Sequence, residues 1–254
     1  IPDDIVLKAT HQAPVIDGAI EPLWFEHAAK TDAFHLRGWE KPANRTEAFL
    51  TCDRDNLYLA VRAHVPDPDK VAASEHERDN LRVHGDECVE LFIDSTLSRQ
   101  QYHHLTMNAV GSKTDMGVGR LIAWSGDWEG MARVNAEAKA VDYEFKIPLR
   151  LFTDVNLSRR WGLNIGRSDK AAGNVVSLIR TPQPNFHLPA IYPAIVFPDG
   201  VVDRFRAGVS DLQLVADGDA KRVVTGSIDN QSGKTLDAQT QIVDQASGKL
   251  AGSR

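Results

Sequence analysis

The stretch of sequence that decides the fold is residues 84–94, which read HGDECVELFID. Val89, Leu91 and Ile93 alternate with a mixed set of residues, and such alternation is typical of a β-strand that is buried on one face. Glu90 lies at the middle of the opposite face, where an ionised carboxylate is costly to bury unless it is paired or faces water or a ligand. We therefore predict a strand packed on a core, with one carboxylate facing outward from its sheet.

Short runs of the same kind occur on both sides of this strand. A short helix with Trp24 in the core is expected at 21–29, where Pro22 suits the first turn. Many short strands separated by turn signals about 8–12 residues apart favour a sandwich or barrel over a parallel α/β sheet. The sequence thus predicts an all-β fold, an antiparallel β-sandwich with few short helices. Its strands are predicted at 15–20, 46–51, 57–65, 88–94, 101–108, 132–140, 143–148, 161–167, 174–179 and 194–197.

The composition changes after residue 200. Three further strands are predicted at 206–216, 221–229 and 235–244, and a segment of this length is too short to bury a core of its own. We predict that residues 1–203 form the sandwich. Residues 204–254 are then the start of a second, immunoglobulin-like β-sandwich domain, or linker strands.

The composition excludes several classes of protein. The chain has 254 residues, 42% of them hydrophobic and 25% charged, which is ordinary for a soluble globular protein. Its net charge of −6 argues against a nucleic-acid binder, which would need a basic face. No apolar run approaches the roughly 20 residues of a membrane span. Because the chain begins with Ile1, we expect that a signal peptide was removed and that the protein is extracellular or periplasmic.

The two cysteines, Cys52 and Cys88, lie in predicted strands that could be neighbours. Neither belongs to a Cys-x-x-Cys or Cys/His metal pattern, so a zinc site is not expected. Packing favours two free buried thiols. A disulfide, which would suit a secreted protein, is the alternative.

The spacing of the carboxylates argues against a glycosidase. Glu87 and Glu90 are three residues apart in a strand, so they point to opposite faces. Glu90 and Asp94 share a face but would lie about 13 Å apart, which is too wide for either glycosidase geometry. We expect no catalysis from this segment, although a larger parent chain could degrade polysaccharides.

Several sequence patterns occur in the order found in family 9 carbohydrate-binding modules, which residues 14–198 resemble. None of the patterns is specific alone, but their order and spacing together are. The patterns are Ile16-Asp17-Gly18 with Trp24, Asp53 to Ala60, Asp86 to Asp94, Asn108 with Gly111, Tyr143 to Pro148, Trp161 to Ile165 with Arg167, and Phe186 to Pro189.

This resemblance implies a non-catalytic β-sandwich that binds sugar and is fused to an extracellular polysaccharide-degrading enzyme. Calcium often supports the fold of this family. In its best-known members two tryptophans clamp the end of the sugar, and the matching positions here are His84 and Phe186. The ligand could therefore differ from the glucose-type end that the family usually binds. The alternative is a structural or docking sandwich with a vestigial sugar site, which positions a catalytic domain in the same parent chain.

A sugar site needs polar groups that donate and accept hydrogen bonds, beside an aromatic surface for the apolar face of the ring. Arg62, His64, His104 and Thr106 are expected on or near the face that carries Glu90. The competing interpretation of Glu90 is a structural ion pair with an arginine. The predicted ligand-binding residues are His84, Glu90, Asn108, Arg167, Phe186, Trp39 and Trp124. The candidate calcium ligands, chosen because calcium prefers oxygen, are Asp53, Asp55, Asp67, Asp69 and Asp86.

Overall fold

The computed structural model describes residues 3–36, 40–152, 158–181, 186–203, 207–217, 221–230, 241–243 and 250–253. Its first 203 residues contain one α-helix, Pro22–His27 (α1), and twelve strands within these ranges. The strands in chain order are Ile5–Val6 (β1), Ala29–Thr31 (β2), Thr46–Cys52 (β3), Asn56–His64 (β4), Cys88–Asp94 (β5), His103–Asn108 (β6), Lys113–Met116 (β7), Glu129–Asn135 (β8), Ala140–Pro148 (β9), Arg160–Asp169 (β10), Asn174–Ser177 (β11) and Ala194–Val196 (β12).

Two sheets are built from these strands. One has the order β2-β3-β4-β9-β8, and the other has the order β1-β12-β10-β5-β6-β7 with β11 paired to β10. The described pairings are antiparallel apart from that of β1 with β12. The all-β sandwich predicted from the alternation is therefore confirmed.

The predicted strand of residues 84–94 lies in the middle of the larger sheet, between β10 and β6. Val89, Leu91 and Ile93 are fully buried in the main core. Short 3₁₀ turns lie at Pro68–Lys70, Leu81–Gly85, Leu149–Phe152 and Pro189–Ile191. The core side of β5 is thus the one that alternation predicted, and its other side is free to carry a site.

The strand predicted at 15–20 is wrong, because the Asp17 and Gly18 amides donate to the Glu144 carboxylate and not to a neighbouring strand. The predicted strand at 132–140 is wrong in its bounds. The strand is Glu129–Asn135, and a turn separates it from β9. In that turn Asn135 accepts a hydrogen bond from the Ala138 amide at 3.0 Å, and Lys139 adopts a left-handed φ of 47°. The alternating pattern continued through the turn, so periodicity could not reveal it.

Trp24 is 1% exposed and belongs to an apolar cluster with Phe49 and Tyr58, as predicted. Cys52 and Cys88 are free, buried and on strands of different sheets. The disulfide alternative is therefore wrong, and so is the expectation that their strands are neighbours. Burial, with the nearby charge of Asp53, raises the pKa of Cys52 to about 12, so this thiol stays protonated and inert.

After residue 203 the structure describes two hairpins. Ala207–Asp217 (β13) pairs with Lys221–Asn230 (β14), and Gln241–Val243 (β15) pairs with Leu250–Ser253 (β16). Most of the strand predicted at 235–244 lies outside the described residues. The division at residue 203 stays a prediction. Among the described helices, none is long and apolar enough to cross a membrane.

Candidate functional site

A pocket of about 480 Å³ opens on the outer face of the larger sheet. On β5, Glu90 lies opposite Gly166 of β10 and Thr106 of β6, and Phe92 lies opposite His104. Residues of the 3₁₀ turn before β5, of the loop after β7 and of the loop before β12 complete the walls. The pocket is lined by Leu81, His84, Glu90, His104, Met116, Arg120, Ile122, Phe186 and His187.

Glu90 is the carboxylate that lines the pocket. Its Oε2 atom lies 2.8 Å from His104 Nε2 and 3.4 Å from His84 Nδ1, and the Thr106 hydroxyl is 3.2 Å from the same His104 nitrogen. Burial alone would raise the pKa of Glu90, but the two histidines lower it to about 2. The carboxylate is therefore ionised at neutral pH. The competing interpretation, an ion pair of Glu90 with an arginine, is wrong in its partner, because His84 and His104 take that place.

Aromatic rings hold His104 in position. The His104 ring stacks on Phe92 with centroids 4.3 Å apart and planes 16° apart. The His84 ring also stacks on His104, with centroids 5.4 Å apart. This packing fixes the direction in which the His104 nitrogen meets Glu90, because rotation of the ring would break both stacks.

Phe186 forms the opposite wall. A Cβ atom built on Gly166 would lie 2.8 Å from Cε2 of the Phe186 ring, so this aromatic ring can lie against the sheet only where the strand has glycine. The Tyr192 hydroxyl donates to the Phe186 carbonyl at 2.6 Å, and the Phe186 ring lies 5.8 Å from that of Phe92. The structure therefore brings His84, Glu90 and Phe186 together around one pocket.

Asn108 supports the pocket from behind. It is fully buried, and its amide donates to the Glu75 carbonyl and to Asp86 Oδ2, both at 2.8 Å. These bonds hold the segment that leads into the turn Leu81–Gly85, which carries His84. Asn108 is outside the pocket lining and does not reach a ligand there. Its side chain instead helps to position the segment that carries His84.

Arg167 is also removed from the predicted ligand set. Its side chain has no exposed surface, and its Nε donates to Glu87 Oε1 at 2.7 Å. It also donates to the His64 carbonyl at 2.9 Å and to Thr46 Oγ1 at 3.2 Å. Because Arg167 is one residue out of phase with Gly166, it points between the sheets and cannot reach the pocket.

The expectation that Arg62 and His64 share a face with Glu90 is wrong, because β4 belongs to the other sheet. Arg62 makes a two-fold hydrogen bond with Asp142, each contact at 2.8 Å. His64 lies 3.1 Å from Glu47. Arg62 and His64 are therefore each paired with an acidic residue of the smaller sheet.

Trp124 lies in the loop that supplies Arg120 and Ile122, but it is not part of the pocket lining. Its ring is half-buried and packs on His103, with centroids 4.9 Å apart. Trp124 thus anchors the loop. Trp39, the remaining predicted residue, lies outside the described residues.

Five residues of the pocket lining were not predicted as site residues: His187, Arg120, Leu81, Ile122 and Met116. His187 directly follows Phe186, and that adjacency was the available signal. Its Nδ1 lies 2.7 Å from the Tyr102 hydroxyl. Burial, reinforced by the positive charge of Arg120, lowers the pKa of His187 to about 4. At neutral pH it therefore offers the pocket an uncharged imidazole.

The candidate calcium ligands do not come together. Asp53 accepts hydrogen bonds from the amides of its own turn, Asp67 pairs with Lys70, and Asp86 binds the Glu75 amide. Within the part of the chain that the structure describes, one group of three metal-binding side chains converges: His84, Glu90 and His104. Two imidazoles do not suit calcium, which takes oxygen ligands.

Three solved structures share this architecture, and two of them hold a bound sugar. A family 9 carbohydrate-binding module from Caldicellulosiruptor kristjanssonii in complex with cellotriose has 17% identity and a TM-score of 0.55, over 77% of this chain and 93% of that one. The module in complex with glucose has 16% identity and a TM-score of 0.53, over 77% and 96%. A Bacteroides uniformis protein described as carbohydrate-binding has 15% identity and a TM-score of 0.61, over 77% and 99%.

No protein-family model and no curated protein matches the sequence. At 15–17% identity the likeness to solved structures establishes the fold. The chain therefore has the fold of a family 9 carbohydrate-binding module, which confirms the architecture expected from the order of its sequence patterns.

Proposed function

We propose that this chain is a non-catalytic carbohydrate-binding module whose ligand lies between His84 and Phe186. The observation that carries the proposal is the pocket itself, in which an aromatic wall faces an ionised carboxylate and imidazoles. Concave sites with apolar walls and a few placed polar groups are the usual sites for small ligands. The sugar-bound structures that share this fold support the same conclusion.

The two sides of the pocket suit the two surfaces of a sugar ring. The Phe186 ring packs against the apolar C–H face, and the exposed side chains of Leu81 and Ile122 extend the apolar rim. Glu90 accepts hydrogen bonds from hydroxyl groups, and the neutral His187 can donate or accept. Of the ligand-binding residues predicted from sequence, His84, Glu90 and Phe186 form the proposed site.

The biological context is also part of the proposal. The sandwich at residues 1–203 acts outside the cytoplasm, as an accessory domain of a protein that degrades polysaccharide, and residues 204–254 belong to a second, immunoglobulin-like β domain or form linker strands. The ligand is a glycan end that differs from the family's usual one, because a histidine and a phenylalanine occupy the positions matched to its tryptophans.

A glycan array followed by calorimetry with the strongest ligand tests the function. Phe186→Ala is expected to weaken binding about tenfold or more, because an aromatic contact contributes about 0.5–1.5 kcal/mol beyond its buried area. Phe25→Ala is the matched control, since Phe25 is a 51% exposed phenylalanine on α1, outside the pocket. Unchanged affinity of Phe186→Ala would remove Phe186 from the site. Binding to no glycan would leave the docking sandwich as the better account.

A further inference from the structure

His84, Glu90 and His104 converge in a way that an ordinary ion pair does not explain. One ligand atom from each of the three lies within 4.8 Å of the other two. His104 and Glu90 are buried, and their side chains are 5% and 10% exposed. The His84 side chain is 29% exposed, so the group lies at the floor of the pocket with one side open.

The two spacings to Glu90 are close to those around a shared ion, and the ligand atoms of the two histidines lie within 4.8 Å of each other. The distance of 3.4 Å from His84 Nδ1 to Glu90 Oε2 exceeds the roughly 2.7–3.2 Å of a good N–H···O hydrogen bond. Two ligands bound at about 2.0–2.1 Å in a tetrahedral site lie about 3.3 Å apart. His84 is therefore already at the separation that two ligands of one metal ion adopt. The His104–Glu90 contact of 2.8 Å would need to open by about 0.5 Å to reach it.

The types of ligand select the class of metal. Two imidazole nitrogens and one carboxylate oxygen suit zinc and the neighbouring divalent transition metals, whereas calcium and magnesium prefer oxygen alone. Two histidines and a glutamate form one of the standard sets of three protein ligands around a zinc ion that keeps an open position.

We infer that His84, Glu90 and His104 form a binding site for a divalent transition-metal ion of the zinc class, with its remaining position open to the pocket. Stacking of His104 on Phe92 and on His84 orients the imidazoles before the ion arrives. The group that fills the open position is an oxygen donor, either water or a hydroxyl of the ligand. Only this last assignment rests on the proposed sugar-binding function.

The test is a calorimetric titration of the untagged 254-residue chain with ZnCl₂ alone, after treatment with a chelator. One saturable site per chain is expected. His84→Ala and Glu90→Gln should each weaken it more than about 100-fold, which exceeds the usual effect of losing a residue that only supports a ligand. Because His84 is on a partly exposed turn, its substitution tests the site without removing a buried ring.

One control variant defines the site. His64→Ala removes a histidine that is paired with a glutamate on the other sheet. This variant should bind zinc as the unaltered chain does. No saturable binding below about 1 mM, or equal affinity in His84→Ala and His64→Ala, would overturn the inference. Because no glycan is present, this result is independent of whether the chain binds sugar.

Discussion

Gly166→Ala is the change that most directly tests the packing of the pocket. The three nearest atoms to a Cβ at this position are Phe186 ring carbons, at 2.8, 2.9 and 3.1 Å. Contacts under 3.0 Å require something to move. The Phe186 backbone is held by the Tyr192 hydroxyl, so the ring must leave the sheet or the strand must shift.

The magnitude has two parts of opposite sign. Forcing an extra carbon into a packed site costs about 1–3 kcal/mol. Replacing glycine in a strand by alanine stabilises the fold by about 0.5–1 kcal/mol, because glycine loses more conformational freedom on folding. In the unaltered chain Gly166→Ala should therefore be destabilising. With Phe186→Ala already present, the clash is gone and the same change should be stabilising.

Thermal and urea unfolding of the four chains of this double-mutant cycle supply the measurement. The expected coupling energy is about 1–3 kcal/mol, which corresponds to several degrees in Tm for a chain of this size. Gly162→Ala is the control on the same strand, where the nearest atom is Asp94 Cβ at 3.3 Å. Its effect should be the same with and without Phe186. If Gly166→Ala changes stability equally in both backgrounds, Phe186 does not lie on Gly166, and the aromatic wall of the proposed site is misplaced.

Three further predictions concern the charged groups. Glu90→Gln should weaken glycan binding about tenfold or more without unfolding the chain, since hydrogen bonds to charged groups contribute about 1.5–3 kcal/mol. If the circular dichroism spectrum of the variant is that of an unfolded chain, Glu90 is a structural residue instead. Arg167→Met should destabilise the fold by about 3–5 kcal/mol in urea unfolding, because it leaves Glu87 buried without its cation. The glycan affinity of the folded variant should stay unchanged. Weaker glycan binding by a fully folded variant would restore Arg167 to the site. The folded-state pKa of His187, about 4, lies below its ordinary 6.5. Its contribution to stability is therefore fully present above pH 6.5 and is lost as pH falls towards 4. The urea midpoint of the unaltered chain should fall more across this window than that of His187→Gln, and parallel curves would contradict the assignment.

Alternation along one strand was enough to predict which side of β5 meets the core. Val89, Leu91 and Ile93 are buried as expected, because a strand has only two faces and burial of apolar area decides between them. The same rule failed at residues 136–139, where an alternating pattern runs through a turn. Turn geometry there depends on the Asn135 side chain and on the left-handed φ of Lys139, neither of which periodicity reports.

The role of Arg167 shows a second limit. Its position in β10 places it in phase with the core residue Ile165, yet an arginine in a sugar-binding pattern favours a ligand contact. Arg167 is a core residue and not a ligand contact because its guanidinium donates hydrogen bonds to Glu87 and to the His64 carbonyl of the opposite sheet. A buried guanidinium is stable only when an opposite charge neutralises it and acceptors bind its N–H groups. Sequence spacing does not show which partners are within reach.

The sequence by itself determined most of the strands, the inward face of the central strand and a carboxylate at the middle of its outward face, because these follow from local periodicity and from the cost of burying charge. Only the tertiary structure decided that Glu90 meets His84 and His104, that Phe186 closes the pocket against Gly166, and that Asn108 and Arg167 lie outside it. The physical reason is that β5 is paired to β6 and to the distant β10. The loops that wall the pocket are therefore brought together by strand pairing and not by their positions along the chain.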